Sequence, residues 1–287
     1  KMTDPNGEEV PSSVGAFLIW QQPHPIYFAE QLYRLHPNAS TLANYKSLVF
    51  MTADFMSSFV SLDTTTRNKR FTLSGVIPAQ ERFKPEETFN PTYELVYWKW
   101  ALQVAQQWRS RLHMPIDAKW QEVINHLSNL PIKDNKYLFA ESATTSYTDP
   151  KLKTDHPSVL AALGVMPMTG QVDTTIMNNT FDWIWNHWDW KDTWGWDFPM
   201  TAMTATRLGQ PQKAIEALLM PIQTNTYLVN GHNYQDQRLR LYLPGNGGLL
   251  TAMAMMVAGY DGAKTSMPGI PKDGKWKVRY EGIKRMP

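Results

Sequence analysis

The chain has 287 residues, 43% of them hydrophobic, and its 28 Lys and Arg against 26 Asp and Glu leave a formal net charge of +2. That length and apolar content allow one large core in a single domain over residues 1–287, and exclude a disordered, collagen-like or small disulfide-stapled chain. Basic residues scattered among acids exclude the stripe that a nucleic-acid partner needs, no segment approaches the roughly 18 uncharged apolar residues of a membrane span, and the absence of Cys removes disulfides, thiolate nucleophiles and Cys-ligated metals.

Aromatic content is high, with 12 Trp, 12 Tyr and 11 Phe. An indole N–H wants a partner when buried, so some of these Trp side chains are expected half exposed on a concave surface, where they suit the apolar faces of sugar rings. The others are expected to pack helices.

Apolar residues recur at helical spacing, and Pro and Gly cut the chain into ordinary helix lengths. The first helix is expected from Pro23 or Pro25 to just before Pro37, and the second from about Thr41 to Leu62. Alternation over Arg70–Ile77 predicts a strand that ends in the turn Pro78-Ala79-Gln80-Glu81. Asn90 reads as the cap of a long helix that runs to about Leu112 with Pro91 at its first position, and Asp117 as the cap of another reaching Leu130. Shorter helices are expected from Asp155 or Pro157 to Leu163, from about Val172 to Trp188, from Phe198 to Leu208 and from Pro211 to Leu219, with Gly209 ending the third of these. A last helix starts near Asn246, and Lys275–Tyr280 alternates as an edge strand would. The class is all-α, built from helical hairpins whose long loops carry the unusual residues.

Chemistry concentrates in few places. Glu81 ends the extended excursion, where a carboxyl with a raised pKa would serve as a general acid; otherwise it is a solvated turn residue. The stretch from Trp188 to Pro199 interleaves four Trp with three Asp, and its Asp197 is either a helix N-cap or a catalytic group. His24, Asp155, His156, His232, Asn233 and Asn246 lie in loops or at helix starts, where capping and ligand contact are both open. The seven His are dispersed without metal-ligand spacing, and no nucleophile elbow, P-loop or dinucleotide fingerprint occurs, so neither metal nor cofactor is expected.

Several segments, in one order, resemble the six-hairpin glycosidases, in particular glycoside hydrolase family 65 and the α-L-fucosidases of family 95. VIPAQERFKPEETFNPTYELVYW resembles the family 65 segment whose Gly-Pro-Asp-Glu turn carries the general acid, and the Ser-Pro-Glu-Asn turn of family 95; Glu81 falls on the acid in both. TDHPSVLAALGVMP and WGWDFPMTAMTATRLGQPQKAIEALL are similar to the His-rich helix start and the Gly-Trp-Ser helix of family 95, and LPGNGGLLTAMAMMVAGYDG lines up with its Ile-Asp-Gly-Asn-Phe-Gly segment. The likeness runs over residues 15 to 262. With one departure, that the family 95 base aligns with Pro244, Asp197 is its substitute here, followed by Asp192 and Asp155.

The resemblance implies an (α/α)6 toroid, an oligosaccharide substrate and an exo-acting, inverting hydrolysis with Glu81 as acid and Asp197 as base, their carboxyl groups about 6.5–9.5 Å apart. It implies sugar contacts from Trp20, Gln22, His24, Asp155, His156, Trp194, Trp196, His232, Asn233 and Asn246, and a periplasmic or secreted home. A complete toroid of this kind has twelve helices, and about nine are read here, so the chain is expected to be part of a longer enzyme whose N-terminal portion precedes Lys1. The alternatives are a disaccharide phosphorylase and a non-catalytic sugar-binding barrel; a terpene-cyclase toroid lacks its Asp-rich metal motif.

Overall fold

A computed structural model describes residues 2–3, 6–10 and 15–287. Residues 1, 4–5 and 11–14 lie outside the described residues. The fold is mainly helical, and its named strands, each of two residues, form four separate antiparallel ribbons. The chain divides into two compact units, residues 1–131 with 138–144, and residues 132–137 with 145–287.

The first unit holds α1 (His24–Leu35), α2 (Ala39–Phe59), α3 (Thr92–Arg111) and α4 (Ala118–His126), with ribbons β1 (Met2–Thr3) to β2 (Glu9–Val10) and β3 (Ser61–Leu62) to β4 (Phe71–Thr72). Its centre is α3, which buries residues on every face and packs against α1, α2 and α4. Three Trp residues in this core each place the indole N–H on an oxygen: Trp98 on the Met56 carbonyl at 3.0 Å, Trp108 on Glu30 at 2.7 Å and Trp120 on Asp54 at 2.9 Å. Glu30 also takes a two-pronged pair from Arg111, at 2.6 and 2.9 Å, so the carboxylate pinned inside this unit is satisfied on both oxygens. These Trp residues are core, as expected of those that pack helices.

Local chemistry moves some boundaries. Asp117 caps α4 as expected, accepting from the N–H groups of Lys119 and Trp120, but the helix ends at His126 because Leu127 turns extended. Asn90 is not a cap. Its φ is +51°, the cap position of α3 falls to Pro91, and its side chain accepts from Leu73 N–H while donating to Ser128 and Glu141. Of the expected strand Arg70–Ile77, only Phe71–Thr72 pairs as a ribbon, with single bridges at Ser74 and Ile77.

The second unit holds ribbons β5 (Ile132–Lys133) to β6 (Lys136–Tyr137) and β7 (Thr226–Tyr227) to β8 (Asn233–Tyr234), and helices α5 (Ala161–Gly164), α6 (Thr174–His187), α7 (Asp197–Arg207), α8 (Pro211–Leu218) and α9 (Leu243–Ala258). Every residue of α7 is buried, and α5, α8 and α9 pack around it. The α5 approach depends on Gly164, where a Cβ would sit 2.3 Å from Thr204 Oγ1 and 2.9 Å from the Met200 carbonyl oxygen. Gly209, at φ +72°, follows α7 as anticipated. The last helix starts at Leu243, which puts Asn246 inside its first turn. Lys275–Tyr280 is not a strand: it lies largely exposed and pairs with no neighbour, and alternation without a partner does not make a sheet.

Candidate functional site

The second unit gathers five of the sequence-derived residues. Asp155 sits at φ +65°, a left-handed conformation that Asp tolerates better than most residues. It is held there by its own N–H on the Asp192 carbonyl at 2.7 Å and by the indole of Trp188 on its carbonyl at 3.0 Å. The next residue, His156, points its ring at the start of α7. Its Nδ1 lies 2.9 and 3.2 Å from the two oxygens of Asp197, and its Nε2 is 3.7 Å from Asp155 Oδ1. The Trp194 backbone N–H donates to Asp197 Oδ2 at 2.8 Å, while the Trp194 indole donates to Asp155 Oδ1 at 3.1 Å.

The imidazole therefore stands between two carboxylates with aromatic walls. Trp196 meets it edge-on at 4.7 Å between ring centroids, and Trp194 lies at 5.9 Å. Both Trp side chains are half-buried, whereas Asp155, His156 and Asp197 are buried. Burial pushes the Asp197 carboxyl up from its ordinary pKa, opposed by the His156 charge and hydrogen bond and by the Trp194 N–H. The structure places Asp197 as the partner of His156: it touches no solvent, and both oxygens are engaged. It occupies the first position of α7 with no side-chain cap, so the helix start is not what its carboxylate serves.

The adjoining loop is fastened by amides. Gln235 accepts from Gly195 N–H at 3.0 Å and donates to the Thr193 carbonyl at 3.1 Å, fixing the turn between the two Trp residues. Asn233 donates to the carbonyls of Thr224 and Thr226 and receives no donor at its buried Oδ1, which lies so near Gly195 that a Cβ there would be 1.8 Å away. Asn246 accepts from Asn233 N–H at 3.0 Å and donates to the Gly231 carbonyl at 2.8 Å. Asn233 and Asn246 are thus scaffold to the Trp loop. The His232 imidazole enters none of these hydrogen bonds and is half-buried.

The first unit gathers another set. His24 opens α1, with Nδ1 2.8 Å from the Tyr97 hydroxyl and Trp20 packed edge-on at 5.4 Å; burial holds the imidazole below its ordinary pKa. Gln22 is exposed in the turn before α1. Glu81 is exposed in the turn after Gln80, itself fully buried. Behind that turn lies a residue that sequence reasoning missed. Glu94, in the first turn of α3 and 1% exposed, accepts from Ala79 N–H at 2.9 Å, and its second oxygen is buried without a hydrogen-bond partner. Burial pushes its pKa up to about 7, against the pull of the Ala79 N–H and its own backbone N–H. Its signal was legible as an acid in an otherwise apolar run, at the third helical position where a carboxylate often reaches back to the cap N–H. Pro91 has no such N–H, and Glu94 takes that of Ala79 instead.

Among the described residues no group of three His, Asp or Glu side chains is arranged to hold a metal ion, and no helix is long and apolar enough to cross a membrane. Family models and curated proteins, searched with this sequence, return no match.

Proposed function

We propose that the protein is a carbohydrate-active hydrolase that cleaves a glycosidic bond with inversion, built on the (α/α)6 toroid that its helical hairpins suggest. One observation carries the reading: a buried carboxylate–imidazole–carboxylate arrangement, Asp197–His156–Asp155, walled by two half-buried Trp side chains. Half-exposed indoles suit the apolar face of a sugar. The pairing of Asp197 with Nδ1 fixes the ring and favours a proton on that nitrogen, which directs Nε2 toward the Asp155 side for proton transfer. Base work thus belongs to the pair, with Asp197 as positioning residue and His156 as the group that takes the proton from water. Glu81 is taken as the acid from the glycosidase resemblance alone; within its own unit, Glu94 holds the preceding turn by the Ala79 N–H.

The test is turnover of a panel of aryl glycosides and disaccharides by wild type, W194A and H156A. Loss of a sugar platform in W194A raises KM, and H156A lowers kcat by roughly 10²–10⁴-fold, the range of a general base. Saccharide binding without turnover of any member would replace hydrolysis by a binding function, and absence of both would remove the carbohydrate reading.

A further inference from the structure

The second unit contains a cavity of about 720 Å³, and none of the residues that line it belongs to the His156 cluster. Its walls come from the first turns of α6, the end of α7 and the segment after α9. Arg207, Lys264 and Lys272 line it, and no Asp or Glu does. Three cations around one concavity with no carboxylate raise a positive potential, because the low-dielectric walls focus it.

The cations are set differently. Arg207 is 4% exposed at the base, its guanidinium 4.5 Å above the Tyr260 ring and its Nη2 on the Pro287 carbonyl at 2.8 Å, so it is pre-positioned. Lys264 and Lys272 are exposed at the rim; Lys272 donates to the Ser266 carbonyl at 2.9 Å, and Lys264 makes no ion pair among the described residues. Thr175 and Asn178, three residues apart on α6, also line it; Thr175 offers a hydroxyl, the Asn178 amide is held by Asp182 and Gln210, and Tyr260 and Ile270 give apolar surface. Residues so spaced share a helix face. The volume falls within the range of small-molecule sites, and the mixture of cations, neutral donors and apolar surface matches a compact molecule with an anionic end.

We propose that this cavity binds a small organic oxyanion, a sugar-sized molecule bearing a phosphate or carboxylate group, with Lys264 and Lys272 gripping the anion over Arg207. The site is independent of the hydrolytic one.

Calorimetric titration of the full chain with glucose 6-phosphate, glucuronate and glucose tests it. Both anions, or one of them, are expected to bind at least tenfold more tightly than glucose; whichever is tighter tells whether phosphate or carboxylate is the preferred group. K264Q/K272Q, which changes only exposed side chains and should leave the fold intact, weakens anion binding tenfold or more, N178W removes it by filling the cavity, and H156A leaves it unchanged. The proposal is overturned if neither anion binds more tightly than glucose, if K264Q/K272Q binds as wild type does, or if H156A abolishes binding.

Discussion

Asp197 and His156 form a buried side-chain pair at the centre of the candidate site, with Nδ1 2.9 and 3.2 Å from the two carboxylate oxygens and no solvent at Asp197. The pair joins the loop after Asp155 to the start of the central helix α7, so one contact serves both the fold of the second unit and the orientation of the imidazole.

Replacing Asp197 with Ala strands a buried imidazole and the Trp194 N–H. Removing one member of such a pair costs about 3 kcal/mol or more. Urea unfolding of D197A is expected to show that loss, and H156A/D197A a smaller loss than the two single variants added together. Additive losses would mean that the two residues do not act as a pair.

Glu94 makes stability depend on pH. Its ordinary pKa of 4.5 rises to about 7 in the folded chain. The folded state therefore holds its proton more tightly than the unfolded one. Stability from this group is fully present below about pH 4.5, falls as pH rises toward 7 and is flat above it, for a total of roughly 3 kcal/mol. E94Q, which cannot ionise, removes this slope. Urea midpoints of wild type and E94Q measured from pH 4.5 to 8 check it: parallel curves would contradict the burial argument.

Gly195 leaves no space for a side chain, since a Cβ would stand 1.8 Å from Asn233 Oδ1 and 2.7 Å from its Cγ. Asn233 cannot easily withdraw, because its amide donates to two carbonyls. G195A is expected to lower stability by about 2 kcal/mol, in the range of overpacked interiors, and to weaken sugar binding by displacing Trp194 and Trp196. In an N233A background the cost of G195A should shrink; equal costs in both backgrounds would place the clash elsewhere.

Much of the helical layout was legible because capping and punctuation residues act locally. Asp117 and Gly209 stand at the predicted ends, and Pro211 opens α8 as expected. Errors arose where a side chain took a distant partner. Asn90 carries the sequence signature of a cap, yet it serves Leu73, Ser128 and Glu141. The strand expected at Lys275–Tyr280 has the alternation but no mate. In the site, the Trp-rich loop and the His156 segment announced themselves by composition, whereas their mutual contact depends on tertiary packing. Gln235 gave little sign, being a Gln in a polar loop, whereas Glu94 was legible as an acid in an apolar helix start and was passed over.

The most direct measurement follows by NMR the anomeric configuration of the first sugar released from a reactive aryl glycoside, in wild type and in E81Q. Inverted product, with kcat/KM for a poor leaving group reduced about 10³-fold in E81Q, is the result that the proposed hydrolysis predicts. Retained configuration, or equal rates in E81Q and wild type, would contradict it.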